Sequence, residues 1–241
     1  MPTWLRGLVG LAWVGASGMA CAAGPLLAPL DGPTDQPTAP WQVVGLQQLG
    51  KPPTRFSLVT LDGQRALRVE AQNSYANLVH PLAEGNTAHR LSWRWRLDQA
   101  IPQADLTRKD GDDTPVKVCA MFDLPMAALP FGERQVLRLA RLRVGEQLPT
   151  ATLCYVWDAR LPAGTVLDNA FTRRVRMLVL RGAETPLRGW VSEQRDLWAD
   201  FKRLFGDEAD RVPPMLAVAI GADADNTHGH SVAHVGSITL D

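Results

Sequence analysis

Two arginines at alternate positions of LSWRWRLD, Arg94 and Arg96, are the first residues whose spacing could do chemistry. In an extended strand they share one face, with their guanidiniums about 7 Å apart. That spacing could clamp the carboxylates or sulfates of an acidic sugar through paired hydrogen bonds. The competing reading is that they pair with Asp or Glu on neighbouring strands, as sheets commonly arrange. Trp93 and Trp95 fall on the opposite face among leucines, where large apolar rings suit a core better than a sugar-stacking platform.

A second group is acidic. Residues 109–113, KDGDD, place Asp110, Asp112 and Asp113 around Gly111, and GADADN brings Asp223, Asp225 and Asn226 ahead of the last strand. If the two loops converge, Asp223 and Asp225 could supply hard oxygens to calcium, and Asp112, Asp113 and Asn226 could contact a ligand. Neither loop has the EF-hand pattern, and Asp and Asn are frequent in turns because their side chains bond nearby amides. The plain alternative is a polar loop that orders the final strand.

His228, His230 and His234 share one parity and raise the question of zinc. The first two, however, precede the strand expected from about Val232, and only the chain end follows as a further oxygen ligand. Glu193 and Asp196 flank Arg195 as a conceivable acid and base pair, yet nothing sets them across a cleft. Asp196 reads better as a helix start. The sequence has no GxSxG elbow, no HExxH helix and no glycine-rich phosphate loop.

These groups must be held by strands. RALRVEAQ, LSWRWRLD and VKVCAMFD alternate apolar and polar residues, the signature of half-buried strands. TLCYVWDA, RVRMLVLR and MLAVAIGA are continuously apolar and should lie centrally, covered on both sides. Two stretches change period. In DLWADFKRLFGDE, Leu197, Trp198, Phe201, Leu204 and Phe205 recur at helical spacing with Gly206 as a stop, and ERQVLRLARLRVG predicts a second helix, although its Leu137 and Leu139 would also suit a strand. Many strands with few helices predict a mainly β chain, a jelly-roll-like antiparallel β-sandwich with two short helices. Helices do not alternate with strands, which disfavours a parallel βαβ architecture.

The ends and the composition bound the partner. MPTWLRGLVGLAWVGASGMACAAGP has the layout of a secretory signal peptide, with cleavage expected near Ala22 or Ala23 and a periplasmic or secreted destination. Gly18, three residues before Cys21, does not suit a lipoprotein site. PLLAPLDGPTDQPTAPW reads as a flexible extended leader through residue 40, and a single domain is expected over 41–241. No later stretch has the roughly eighteen consecutive apolar residues of a membrane span. Lys plus Arg and Asp plus Glu each number 25, so no overall field recruits nucleic acid or an anionic membrane. Cys119 and Cys154 could pair in an oxidising compartment or remain two buried small hydrophobes.

LSWRWRLD, GDD, MFDLP, TLCYVWD, VLRG, RDLWADFKRLFGDE, ADADNT and HVGSITL together resemble a bacterial family of exported proteins, the domain of unknown function 3047. The resemblance covers almost everything from Trp41 to Asp241. It implies export and a compact domain, and offers no catalytic residue to carry over. Asp223, Asp225, Asn226, Thr227, Gly236 and Ile238 match its pattern, whereas the three histidines depart from it. The Asp-x-Asp-Asn loop also looks like loops of carbohydrate-binding jelly rolls, an analogy of fold. The Gln-Ile-His and Tyr-x-Lys-x-Gly elements of jelly-roll alginate lyases are missing.

The leading expectation is therefore an exported domain that binds an acidic or neutral glycan or another envelope component, with calcium as a candidate ion. One rival is a polysaccharide lyase or hydrolase with Arg94 neutralising a uronate. Another is an interaction module marked by an exposed apolar patch.

Overall fold

A computed structural model describes residues 25–47, 50–144 and 148–241; the segment read as a signal peptide and its cleavage point lie outside the described residues. Extended segments dominate. They form β1 (Gln42–Gly45), β2 (Arg55–Leu61), β3 (Gln64–Gln72), β4 (Tyr75–Pro81), β5 (Arg90–Gln99) and β6 (Val116–Phe122). The helix α1 (Phe131–Val144) precedes β7 (Ala151–Trp157), β8 (Val166–Asn169), β9 (Thr172–Arg181) and β10 (Val191–Asp196). The helix α2 (Leu197–Phe205) then leads to β11 (Met215–Asp223) and β12 (His230–Leu240).

Side-chain parity sorts these strands into two sheets around one core. Leu67, Val69 and Ala71 of β3 and Leu91, Trp93, Trp95 and Leu97 of β5 are buried, while Arg94 and Arg96 face outward. The first sheet has seven strands in the order β1-β4-β11-β6-β7-β9-β8, and the second has five in the order β10-β5-β12-β3-β2. Between them Trp95 meets Trp93 at 5.5 Å and Trp157 at 5.6 Å edge to face, the offset geometry that aromatic quadrupoles favour. This is the sandwich the alternation predicts, and the continuously apolar β7 and β11 lie inside the wider sheet.

Three details differ from the sequence reading. The sheets are not wholly antiparallel, because β7 and β9 pair in parallel. From β7 the chain passes over the adjacent slot, returns along the sheet edge as β8, and turns into β9, which fills that slot. The segment read as a flexible leader is tied to the fold: Leu27 and Leu30 are buried, Trp41 Nε1 donates to Ala28 O at 2.9 Å, and Ala28 N donates to His80 Nε2 at 2.9 Å. Its prolines prevent regular structure, but its carbonyls still accept from Arg65 and from the backbone of β2. Finally, β12 begins at His230, two residues before Val232, because His230 pairs in register with Gln72.

The helices make up for the narrower sheet. Asp196 caps α2 by accepting from Trp198 N and Ala199 N, each at 3.0 Å. Phe201 and Phe205 then pack against the inner face of the wide sheet where the five strands run out, with Phe201 at 4.8 Å from Phe122. The helix also brings Asp200, whose carboxylate accepts from Tyr155 Oη at 2.7 Å and from Arg195 through both oxygens. α1 lies in the β6–β7 connection, anchored by Leu137 and by Glu133 at 2.6 Å from Arg174.

The connection between β5 and β6 folds over the outer face of the seven-stranded sheet. Leu106 from this connection is buried against Val156, Met177, Val179 and Ala219, together with Cys119 and Cys154. The two cysteines stand directly opposite on β6 and β7 and form a disulfide, with their Cα atoms 4.1 Å apart. That settles the pairing the sequence left open.

Candidate functional site

The two acidic loops converge, as their spacing allowed, but their carboxylates are largely committed to the protein. Asp113 Oδ1 accepts from Asn226 N at 3.0 Å, and its Oδ2 accepts from Thr227 N at 2.7 Å and Thr227 Oγ1 at 2.5 Å. Asn226 Nδ2 donates in turn to Asp112 O at 3.0 Å. These bonds fix the β11–β12 turn to the β5–β6 connection, so the Asp223-to-Asn226 stretch is a polar loop ordering the last strand.

The donor set does not fit calcium. Asp223 Oδ1 accepts from Thr114 N at 2.7 Å, its Oδ2 takes Lys117 Nζ at 3.0 Å, and Asp225 holds Lys51 at 2.9 Å. An ammonium occupies the place a cation would need, and among the described residues no three His, Cys, Asp or Glu side chains gather around a common point. The expected metal pair Asp223 and Asp225 is corrected accordingly.

What the convergence does build is a mixed polar cluster beside the β5–β6 connection, on the outer face of the wide sheet. Register brings Tyr75 opposite Asp223 and Asn77 opposite Gly221, with Lys117 on the other flank of Gly221. Lys117 Nζ lies 5.2 Å over the Tyr75 ring, and Asn77 Nδ2 donates to Tyr75 Oη at 3.2 Å. A side chain at 221 would collide with the Asn77 amide, so glycine is what allows the two to cross. Asn77 Oδ1 finds no donor among the described residues. Val79 and Met121 continue the same face as half-buried apolar neighbours.

Asp112 completes the cluster. Its side chain is buried, Asn169 from the far edge of the sheet donates to its Oδ2, and no described residue donates to its Oδ1. Burial, and then the nearby Asp223 carboxylate, push its pKa from 3.8 up to about 6 against the pull of Lys117. Burial alone would lower Lys117, but Asp223 and then Tyr75 outweigh it and hold the ammonium charged.

Between pH 4 and 6 the unfolded chain has released the Asp112 proton and the folded chain retains it, so this group's contribution to stability falls as pH rises. Above about pH 6 the penalty is constant, on the order of 2–3 kcal/mol. Asp112→Asn should therefore match the parent in urea melts at pH 4 and exceed it by about that amount at pH 7.5. An equal difference at both pH values would refute the buried charge.

The other expected ligand residues lie elsewhere. Arg94 and Arg96 are on the outer face of the five-stranded sheet, on the opposite side of the sandwich from Asp112, Asp113 and Asn226. Arg96 is neutralised by Asp62 at 2.8 Å and Asp98 at 2.6 Å. Arg94 lies across Gly236 and stacks on Trp190 at 4.3 Å, with its Nε lacking an acceptor. The two guanidiniums therefore do not form one clamp.

The histidines do not share a site either. His228 bonds Asn73, His230 bonds Glu70, and His234 sits 3.1 Å from Asp98. Glu193 accepts from Trp95 Nε1 at 3.0 Å and Arg181 Nε at 2.7 Å, so its role is structural. A hollow of about 250 Å³ bordered by the β5–β6 connection includes Asp105, which pairs with Arg160, and Asp110, which pairs with Arg108.

Tyr75, Asn77, Lys117 and Asn169 escaped the sequence reading. Tyr75, Asn77 and Val79 share a parity in YANLVHP, and Lys117 interrupts an otherwise apolar strand; these were the signals available. Asn169 carries none, since only strand order brings it near Asp112.

Comparison with solved structures places several β-rich chains alongside this one. TmCBM61 in complex with beta-1,4-galactotriose is 8% identical, with a TM-score of 0.34 over 84% of this chain and 88% of its own. Endoglucanase 3 of Trichoderma harzianum, from family GH12, is 11% identical, with a TM-score of 0.40 over 86% of this chain and 99% of its own. The K2 cleaved adhesin domain of Lys-gingipain is 10% identical, with a TM-score of 0.36 over 84% of this chain and 90% of its own. No curated protein matches in sequence. The model of one family, described as protein of unknown function (DUF3047), matches residues 39–239, nearly the whole described sandwich, and the chain belongs to that family.

Proposed function

We propose that the protein is an exported glycan-binding domain whose ligand face is the polar cluster on the outer side of the seven-stranded sheet. The observation that carries this reading is Asp112: a buried carboxylate with one oxygen held by Asn169 and the other without a protein donor. Such an acceptor, beside Lys117 and Asp223 in the cluster that holds the Asn77 amide and the Tyr75 hydroxyl, suits the vicinal hydroxyls of a sugar, and Val79 and Met121 further along the same sheet face offer apolar surface to a ring. Asp112 and Asp223 against the single Lys117 leave an excess of negative charge, which favours neutral or amino sugars over uronates. The disulfide supports an oxidising destination, and with it the secretory reading of the N-terminus.

The test is a glycan array followed by calorimetry on the chain and its Asp112→Asn variant. Neutral or amino-sugar oligomers should bind, and the variant should weaken them at least about tenfold, the cost of one charged hydrogen bond. The same substitution is expected to stabilise the fold at pH 7.5, so a urea melt of the variant separates lost binding from unfolding. Binding confined to uronates or sulfated glycans, or unaffected by the variant, would move the site away from this face. An enzymatic reading is favoured by one further feature: burial and then the Asp223 carboxylate push the Asp112 pKa up to about 6, close to where a general acid or base operates. Release of reducing ends from the same oligomers by the parent chain, abolished in Asp112→Asn, would select it.

A further inference from the structure

We propose that α1 is a docking helix for an anionic lipid surface. Three large apolar side chains on this helix stand out into solvent: Phe131 is 70% exposed, Val136 69% and Leu139 61%. At 3.6 residues per turn they span an arc of roughly 140° on one side of the helix. Leu137 turns inward to the core, and Glu133 and Arg141 also face the protein, bonded to Arg174 and to Leu148 O. The apolar stripe that a surface helix ordinarily buries is thus partly directed outward.

Charge identifies the occupant. The only acid on α1, Glu133, is spent on Arg174 at 2.6 Å. Arg134 sits 5.7 Å over the Phe131 ring, Arg138 follows one turn later, and among the described residues neither has a carboxylate partner. Apolar side chains bordered by unpaired guanidiniums match a bilayer interface, where rings and aliphatic groups enter the acyl boundary and guanidiniums pair with anionic headgroups. A second copy of the chain would instead bring the same arginines together. The positive ridge is local, because the chain as a whole has 25 basic and 25 acidic residues. The inference is independent of the glycan reading, since it uses none of the residues of the Asp112 cluster.

The experiment is peptide-resolved hydrogen exchange on the full chain with vesicles of phosphatidylcholine alone or with about one-third phosphatidylglycerol, at low and high salt. Anionic vesicles at low salt should slow exchange across residues 131–144 by about fivefold or more, with little effect from phosphatidylcholine alone and loss of protection at high salt. Phe131→Ser, Val136→Ser and Leu139→Ser combined should abolish the protection while leaving the urea midpoint unchanged, because all three side chains are exposed. Protection restricted to the apolar N-terminal residues would overturn the proposal, as would equal protection in the triple variant. So would a lipid-independent dimer that shields α1, which would make a second copy the occupant.

Discussion

Asp223→Ala is expected to destabilise the protein by about 3–5 kcal/mol, the cost of breaking a buried ion pair from one side. Only 9% of the Asp223 side chain and 12% of the Lys117 side chain are exposed, so the ammonium left behind has little water to turn to. The same carboxylate also satisfies Thr114 N, two residues ahead of β6, and that donor would be orphaned with it. Urea denaturation at pH 7 gives the number directly. A second variant separates the lost partner from general damage: adding Lys117→Met removes the stranded charge and should recover a large share of the loss. If the single variant costs less than about 1 kcal/mol, the pair is solvated and the polar cluster is a surface feature.

The second large effect concerns Cys119 and Cys154. Their bond closes a loop of 35 residues, and the chain-entropy treatment assigns about 4 kcal/mol to a loop of that length. The double variant to Ala should therefore melt about 10 °C lower than the oxidised parent, on the usual scaling for a chain of this size. Both cysteines are 3% exposed beneath Leu106, so a reductant in native buffer should act slowly unless the β5–β6 connection opens. Rapid native-state reduction, or unchanged melting of the double variant, would mean that the bond does not restrain the fold as described.

Where one side of a strand faces oil and the other water, the pattern was readable. Leu67 to Ala71, Leu91 to Leu97 and Val118 to Phe122 sort as their alternation requires, and Asp196 caps α2 because a carboxylate before a helical run has few better uses. Strand order is a different kind of information. Nothing in the alternation of Val166 to Arg181 reveals that β9 lies between β7 and β8, and the reach of Asn169 to Asp112 depends on that order. Leu27 and Leu30 were missed because two apolar residues among prolines have no period to read.

The candidate site shows the same division. Composition identified Asp112, Asp113, Asp223 and Asn226 as worth placing, and they do meet; it could not tell a carboxylate that binds a ligand from one that binds a neighbouring amide. That distinction rests on which donors arrive. For Asp113 they are Asn226 and Thr227, for Asp223 Thr114 and Lys117, and for Asp112 Oδ1 none among the described residues. Arg94 and Arg96 make the point from the opposite sign: they share a strand face, but only Arg96 meets Asp62, which comes from the β2–β3 turn.

The final two strands of the chain occupy interior positions, β11 between β4 and β6 in one sheet and β12 between β5 and β3 in the other. A ribosome that has released only the first two hundred residues has made most of the edges and neither keystone. Until β11 and β12 have emerged, the strands already made carry unpaired ladders, and such a nascent chain is exposed to mispairing and aggregation meanwhile.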